Sequence, residues 1–211
     1  MVPSAPDLLV MHAVRLLGYA DTDRIAGRFF LDRAEVEEHL EDARASGWVD
    51  RSSFGGGSGW FLTPRGKVEN ERRLAAELDV TGRRAEVRRA YDAFLVLNGR
   101  LLRAVTDWQT RPVVGDPLAA NDHQDLRWDR RTLATLSELD VGLGPLATSL
   151  AGALTRFDGY DARFALALEE AQHGDHRWVD SIELDSCHTV WFQLHEDLLA
   201  TLGVQRGAEP A

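Results

Sequence analysis

Residues 21–67 read DTDRIAGRFFLDRAEVEEHLEDARASGWVDRSSFGGGSGWFLTPRGK. The punctuation of this stretch decides the fold. Asp21 or Thr22 stands where an N-cap accepts the first free amides of a helix, which predicts a helix over 21–30. Asp32 does the same for 32–45, with Glu35 three residues on, as in a capping box. That second helix stops at Ser46-Gly47, where glycine supplies the left-handed backbone past a helix end. Trp48-Val49-Asp50-Arg51 and Gly59-Trp60-Phe61-Leu62-Thr63 flank a glycine-rich turn and predict two short strands in a loose hairpin. Thr63-Pro64 then opens a further helix to about Leu78, with proline at an early position that needs no amide. Upstream, the apolar spacing from Leu8 to Leu17 predicts one more helix, ending at Gly18. In the 32–45 helix, Val36, Leu40 and Ala43 share one face. They are expected to pack on Ile25, Ala26 and Phe29, with Trp48 and Phe61 closing the bottom.

The order helix–helix–helix–hairpin–helix is that of a winged helix-turn-helix with a small β-hairpin. The stretch from Ile25 to Leu40 resembles the helix-turn-helix of MarR-type bacterial regulators. Trp48-Val49 matches the short motif before the wing, and Leu62-Thr63-Pro64-Arg65-Gly66-Lys67 matches the L-T-x-x-G that follows it. The resemblance covers roughly residues 7–78. It implies a homodimeric transcriptional regulator whose third helix enters the major groove of duplex DNA while the wing touches the backbone. The cations placed to grip DNA are Arg28, Arg33, His39, Arg44, Arg51 and Arg65.

The third helix departs from that pattern. Its side opposite Val36 and Leu40 carries Ala34, Glu38, Glu41 and Ala45, flanked by Glu35 and Asp42. Between Asp21 and Val49 four arginines face eight acids. Phosphate contacts supply most DNA affinity, and carboxylates oppose them.

Beyond residue 78 the pattern is helical: 82–109, then 125–154 with a break near Gly142-Gly144-Pro145, then 160–172 and 182–202, with a frayed tail from Gln205. Arg83, Arg84, Arg88 and Arg89 begin the first of these helices, as a basic end or a solvated face. The expected architecture is therefore mostly α: a winged helix-turn-helix domain over 1–78, then an α-helical bundle over 79–211 for ligand sensing and dimerisation.

Polar residues inside that bundle are its most informative feature. His188 and His195 lie seven apart, hence on one face with Phe192 and Leu199, a face expected to be buried. Buried polar groups need partners. Candidates for a small-molecule site are Trp108, Gln109 and Arg111 at the end of the long helix, Asn121, Asp122 and His123 in the following loop, and His188, Trp191, His195 and Glu196 in the last helix. Together they would make aromatic walls with a few oriented donors. Arg111 suits an anionic ligand. Asn121 or Asp122 has a blander role open to it, as cap of the next helix. A metal site would draw on His123, His188, His195 and Glu196 or Asp122. Two turns of helix, about 10 Å, separate His188 from His195, so no metal is expected. Enzyme signatures such as G-x-S-x-G, HExxH and GxGxxG are absent, and no cofactor is implied. Gly59 through Gly66-Lys67 has the wrong spacing for a phosphate loop, and Val68 stands where Ser or Thr is required. Cys187 beside His188 makes a poor nucleophile pair, because helix neighbours diverge by about 100°.

The 211 residues carry 24 basic and 34 acidic side chains, net −10, with Lys67 the single lysine. Counted by segment, residues 1–111 hold 17 of each sign, and residues 112–211 hold 7 basic and 17 acidic. The acid excess thus lies outside the stretch that would approach DNA. A lone cysteine, Cys187, excludes an internal disulfide. No apolar run is long enough for a membrane span. His12 and Arg15 interrupt the N-terminal apolar stretch, unlike a secretory signal, so the expected setting is cytoplasmic. The functional expectation is a regulator that binds duplex DNA and responds to a small-molecule effector. The alternative is a small-molecule-binding or catalytic protein that keeps a winged helix as a scaffold and does not bind DNA.

Overall fold

The computed structural model of the chain describes residues 3–54 and 57–205. Gly55 and Gly56 of the glycine-rich turn, and the tail after Gln205, lie outside the described residues. The described chain is mostly helical with one small antiparallel sheet. Its elements are α1 (Pro6–Leu17), α2 (Thr22–Arg28), α3 (Arg33–Ala45), β1 (Val49–Phe54), β2 (Gly57–Leu62), α4 (Pro64–Thr81), α5 (Arg84–Gln109), α6 (Leu126–Ala153), α7 (Tyr160–Gln172), α8 (Arg177–Asp180) and α9 (Cys187–Leu202), with a 3-10 turn over Thr155–Phe157. No helix among the described residues is long and apolar enough to cross a membrane.

The chain divides into two compact units. The first comprises residues 1–85, 153–156 and 195–211, and the second residues 86–152 and 157–194.

In the first unit the capping residues act as the sequence suggests. The Asp21 carboxylate accepts from the Arg24 amide at 2.8 Å. Asp32 accepts from the Ala34 and Glu35 amides at 2.9 and 3.1 Å. Thr22 is not the cap: its hydroxyl donates to Glu37 at 2.7 Å and accepts from the Trp60 indole N–H at 3.2 Å. Strand β1 pairs with β2 from Val49–Leu62 to Phe54–Gly57. Ala20 and Trp60 exchange both backbone hydrogen bonds, which ties the α1–α2 turn to β2. Val36, Leu40, Ala43, Ile25 and Ala26 are all buried in one core with Val10, Met11, Val14 and Val49. Phe29 and Trp48 are partly buried against it. Trp60, at 1% exposure, fills the place expected for Phe61. Successive strand residues point to opposite faces, and the Ala20 pairing turns Trp60 inward.

The L-T-x-x-G stretch has a specific geometry. The Thr63 hydroxyl accepts from the Gly66 amide at 3.0 Å and donates to the Gly47 carbonyl at 2.7 Å. One residue type then fits at position 66, because a Cβ there would stand 1.8 Å from the Trp48 carbonyl oxygen. Glycine is required by close backbone approach.

The second unit corrects three expectations. Helix α6 runs unbroken through Pro145. Pro145 and Val141 lie on the exposed side, so the Val141 carbonyl that the proline cannot pair is on the solvent side of the helix. Helix α9 begins at Cys187 rather than residue 182, because Ser186 caps it, accepting from the Thr189 amide at 3.2 Å. The four-residue α8 precedes it. The face shared by His188 and Phe192 is not buried throughout: Phe192 is 46% exposed and His188 half-buried. The buried aromatic centre of this unit is Trp191, stacked on Phe94 with centroids 5.0 Å apart and tilted against Phe164 at 5.5 Å.

Candidate functional site

Three groupings of polar side chains stand out, two in the first unit and one in the second.

The first is the surface formed by α3 and the hairpin. Of the six cations expected to meet DNA, three are occupied by carboxylates. Arg33 lies 2.6 Å from Asp23, Arg44 lies 2.8 Å from Glu41, and His39 lies 3.7 Å from Glu35. Arg28 turns inward: it is half-buried, sits over the Phe29 ring at 4.5 Å, and its charge acts on the buried Asp197. Arg51 and Arg65 remain outward. The Arg51 guanidinium donates to the Ser58 hydroxyl at 2.9 Å, lies over Trp60 at 5.3 Å and makes no ion pair among the described residues. Arg65 is exposed and makes no ion pair among the described residues. Phe30, between α2 and α3, is 96% exposed with φ of 56°. A phenylalanine in the left-handed region is strained.

The second grouping is a buried ionic network that sequence reasoning missed. His12 of α1 places Nε2 3.0 Å from Asp197 of α9. Arg156 donates to Asp197, to the Thr201 hydroxyl at 2.7 Å and to Glu77 of α4 at 3.1 Å. The side chains of His12, Asp197 and Arg156 are fully enclosed. Burial lowers the His12 pKa, against the pull of Asp197. Burial alone would raise the Asp197 pKa, but Arg156 and then His12 hold it below the usual carboxylate range. The four residues come from positions 12, 77, 156 and 197, so no local pattern announces them. The one sequence signal was His12 inside an otherwise apolar helix face. Beside this network, Arg15 bridges Glu196 at 2.8 Å and Glu71 at 2.9 Å. Glu196 is thus committed to Arg15, and His195 is buried in the same unit. These two proposed ligand contacts belong to the first unit, and the other eight to the second.

The third grouping gathers Trp108, Asn121 and His123. The Asn121 amide donates to the Trp108 carbonyl at 3.0 Å and to Asp129 at 2.9 Å. His123 Nδ1 lies 3.2 Å from Asp129 and the ring lies 4.6 Å from Trp108. His176 completes the cluster, 4.6 Å from His123 and 5.2 Å from Trp108. His123 has φ of 55°, so this contact set holds a non-glycine residue in the left-handed region. Asp129 and His176 were not foreseen. Asn121 bridges within the cluster and does not cap α6. Asp125 does that, accepting from the Arg127 and Trp128 amides at 3.0 and 3.2 Å. Those two bonds, rather than Arg111, chiefly lower its pKa. Arg111 stands 3.8 Å from Asp122 and 3.7 Å from Asp125, with its Nε enclosed and unpaired. Gln109 donates to Asp180 at 2.7 Å. Trp191 donates to Asn98 at 3.1 Å within its aromatic core. Burial lowers the His188 pKa, opposed by Asp180. Burial also pushes the Cys187 thiol up to about 12, which leaves no thiolate at neutral pH. Among the described residues no group of three His, Cys, Asp or Glu is arranged to hold a metal ion.

Compared with models of known families, with curated proteins and with solved structures, the chain has no match.

Proposed function

We propose that the chain is a MarR-like transcriptional regulator whose first unit is a winged helix-turn-helix that grips duplex DNA as a homodimer. Its second unit holds a small-molecule effector. The observation that carries the reading is the order α1–α2–α3–hairpin–α4, with α1, α2, α3 and the hairpin around one core, and with Arg51 and Arg65 exposed beside the hairpin and making no ion pair among the described residues. Two such cations per protomer give the wing a purchase on phosphates. An effector acts by binding one of two protein states more tightly.

Charge reversal tests this. Arg51→Glu and Arg65→Glu should each weaken binding to every duplex alike, and each, removing one contact from both protomers, should flatten the slope of log affinity against log salt by about 1.8. Gel shifts on the DNA upstream of its own gene give the comparison. Equal binding by wild type and both variants would exclude the wing as the phosphate grip.

A second reading is favoured by α3 itself. Its cations are paired to Asp23, Glu41 and Glu35, and its outer side is acidic. A winged helix kept as a scaffold in a ligand-binding protein fits that surface. It predicts no salt-dependent DNA affinity at all.

A further inference from the structure

A cavity of about 380 Å³ opens between α5 and α6, wholly within the second unit. Arg100 and Arg103 reach it from α5, and Trp128, Arg131, Thr132 and Thr135 from α6. The spacing explains the meeting. Arg100 and Arg103 are three apart, while 128, 131, 132 and 135 fall at i, i+3, i+4 and i+7, so each set forms one helix face.

The second unit as a whole is acidic. Residues 86–152 and 157–194 hold 10 arginines against 17 carboxylates, a net of −7. Three guanidinium groups around one small cavity in that setting are a local reversal of charge. Arg100 is answered by Glu138. Arg103 makes no ion pair or hydrogen bond among the described residues. Arg131 lies over the Trp128 ring at 4.6 Å and makes no ion pair among the described residues, its charge acting on Asp125 from a distance. The Trp128 indole N–H donates to the Asp107 carbonyl, so this wall is fixed in place. Thr132 is the most telling group. It is 4% exposed, yet its hydroxyl has no hydrogen-bond partner among the described residues, whereas Thr135 and Ser137 on the same helix both return theirs to backbone carbonyls at 3.1 and 3.0 Å. Its oxygen is open to the cavity, so it offers a ligand there a donor that no protein group takes up.

We propose that this cavity is a binding site for a small phosphorylated polyol, the phosphate lying between Arg103, Arg131 and the Thr132 hydroxyl. Three separate donor groups from two helices match three terminal phosphate oxygens. A carboxylate offers two oxygens in one plane. The guanidinium fork suits phosphate geometry. Asp107 also lines the cavity and repels a bare anion. It accepts from a hydroxyl, which selects a ligand carrying hydroxyl groups beside its phosphate. The face of Trp128 is covered by Arg131, so the ligand has no need of an aromatic ring. The volume lies at the lower end of small-molecule pockets and suits a ligand of sugar-phosphate size.

The role of such a ligand as effector rests on the DNA-binding reading. Its binding does not, and the test is done without DNA. Calorimetric titration at low salt would use ribose 5-phosphate, inorganic phosphate and ribose. Ribose 5-phosphate should bind most tightly, phosphate more weakly, and ribose not at all. Arg103→Ala and Arg131→Ala should each weaken ribose 5-phosphate about tenfold or more, and Thr132→Val should weaken it several-fold. Asp107→Asn should weaken ribose 5-phosphate relative to phosphate. Arg103 is exposed, so its variant tests the site without disturbing the fold. Circular dichroism checks that the Thr132 variant is folded. Absence of heat with ribose 5-phosphate at millimolar concentration overturns the proposal, as does affinity unchanged in Arg103→Ala. Loss of DNA binding with these titrations intact would overturn the regulator reading alone.

Discussion

Asp197→Asn should destabilise the first unit by about 3–5 kcal/mol, the usual cost of removing one partner from a buried ion pair. The substitution keeps the volume and removes the charge. It leaves the enclosed Arg156 with Glu77 and the Thr201 hydroxyl in place of a carboxylate it also contacts directly. It also puts a neutral amide in place of the carboxylate 3.0 Å from His12. The same network sets an acid limit. The His12 pKa is lowered in the folded chain, so below about pH 6.5 the unfolded chain takes up a proton that the folded one refuses. Stability from this group is fully present above that pH and falls as pH drops. The Asp197 pKa is lowered as well. Its contribution is present above the ordinary carboxylate value near 3.8 and is lost as pH falls further. Both contributions have the same sign, so unfolding free energy should decline from neutral pH downward, in two stages. Urea titrations of wild type and Asp197→Asn at a series of pH values provide the check. A variant within 1 kcal/mol of wild type at pH 7 would mean the network is an incidental feature of the core.

Gly66→Ala should cost about 3 kcal/mol or more, at the upper end of what overpacking a core costs. The added Cβ would stand 1.8 Å from the Trp48 carbonyl oxygen and 2.9 Å from its Cα, and both are backbone atoms. No rotamer change relieves such a clash. Either α4 must move off the hairpin or Trp48 must shift, and both break the Thr63 bonds to Gly47 and Trp48. Gly27→Ala is the control: no atom lies within 4 Å of a Cβ there. It should be neutral or slightly stabilising, since alanine is the better helix former. Thermal melts of the three proteins decide the matter. Equal melting of Gly66→Ala and wild type would show that the α4 entrance is not held as described.

These two sites also mark what the sequence discloses and what it conceals. The helices and hairpin of the first unit were legible because each boundary is written locally: Asp21, Asp32 and Thr63 as caps, Gly47 past a helix end, and apolar residues at helical spacing. The same logic located Trp108, Asn121 and His123, which crowd into a short span of chain. It erred where a local signal was outweighed by setting. Pro145 reads as a break, yet on an exposed helix side it costs a single hydrogen bond. Arg28 reads as a DNA contact, yet it turns inward and acts on Asp197. Partners brought from afar left no trace in the pattern. Asp197, Arg156 and Glu77 gather around His12 only when four distant segments meet, and Asp129 and His176 complete the Trp108 cluster in the same way. The arginine cavity was half legible. Helical spacing groups Arg100 with Arg103 and Trp128 with Arg131, Thr132 and Thr135, but spacing within a helix does not reveal which helix faces it.

The net charge of −10 leaves one local obstacle to DNA binding, the acidic outer side of α3, and one local grip, Arg51 and Arg65. A salt titration weighs the two. Dissociation constants for a duplex from the region upstream of its own gene would be measured by fluorescence anisotropy over a range of salt concentrations. On the proposed reading, Arg51 and Arg65 in each of two protomers would displace about four counterions, so log affinity should fall linearly with log salt at a slope near −3.6. A complex absent at low salt, or an affinity flat with salt, would contradict the account and leave the first unit a scaffold.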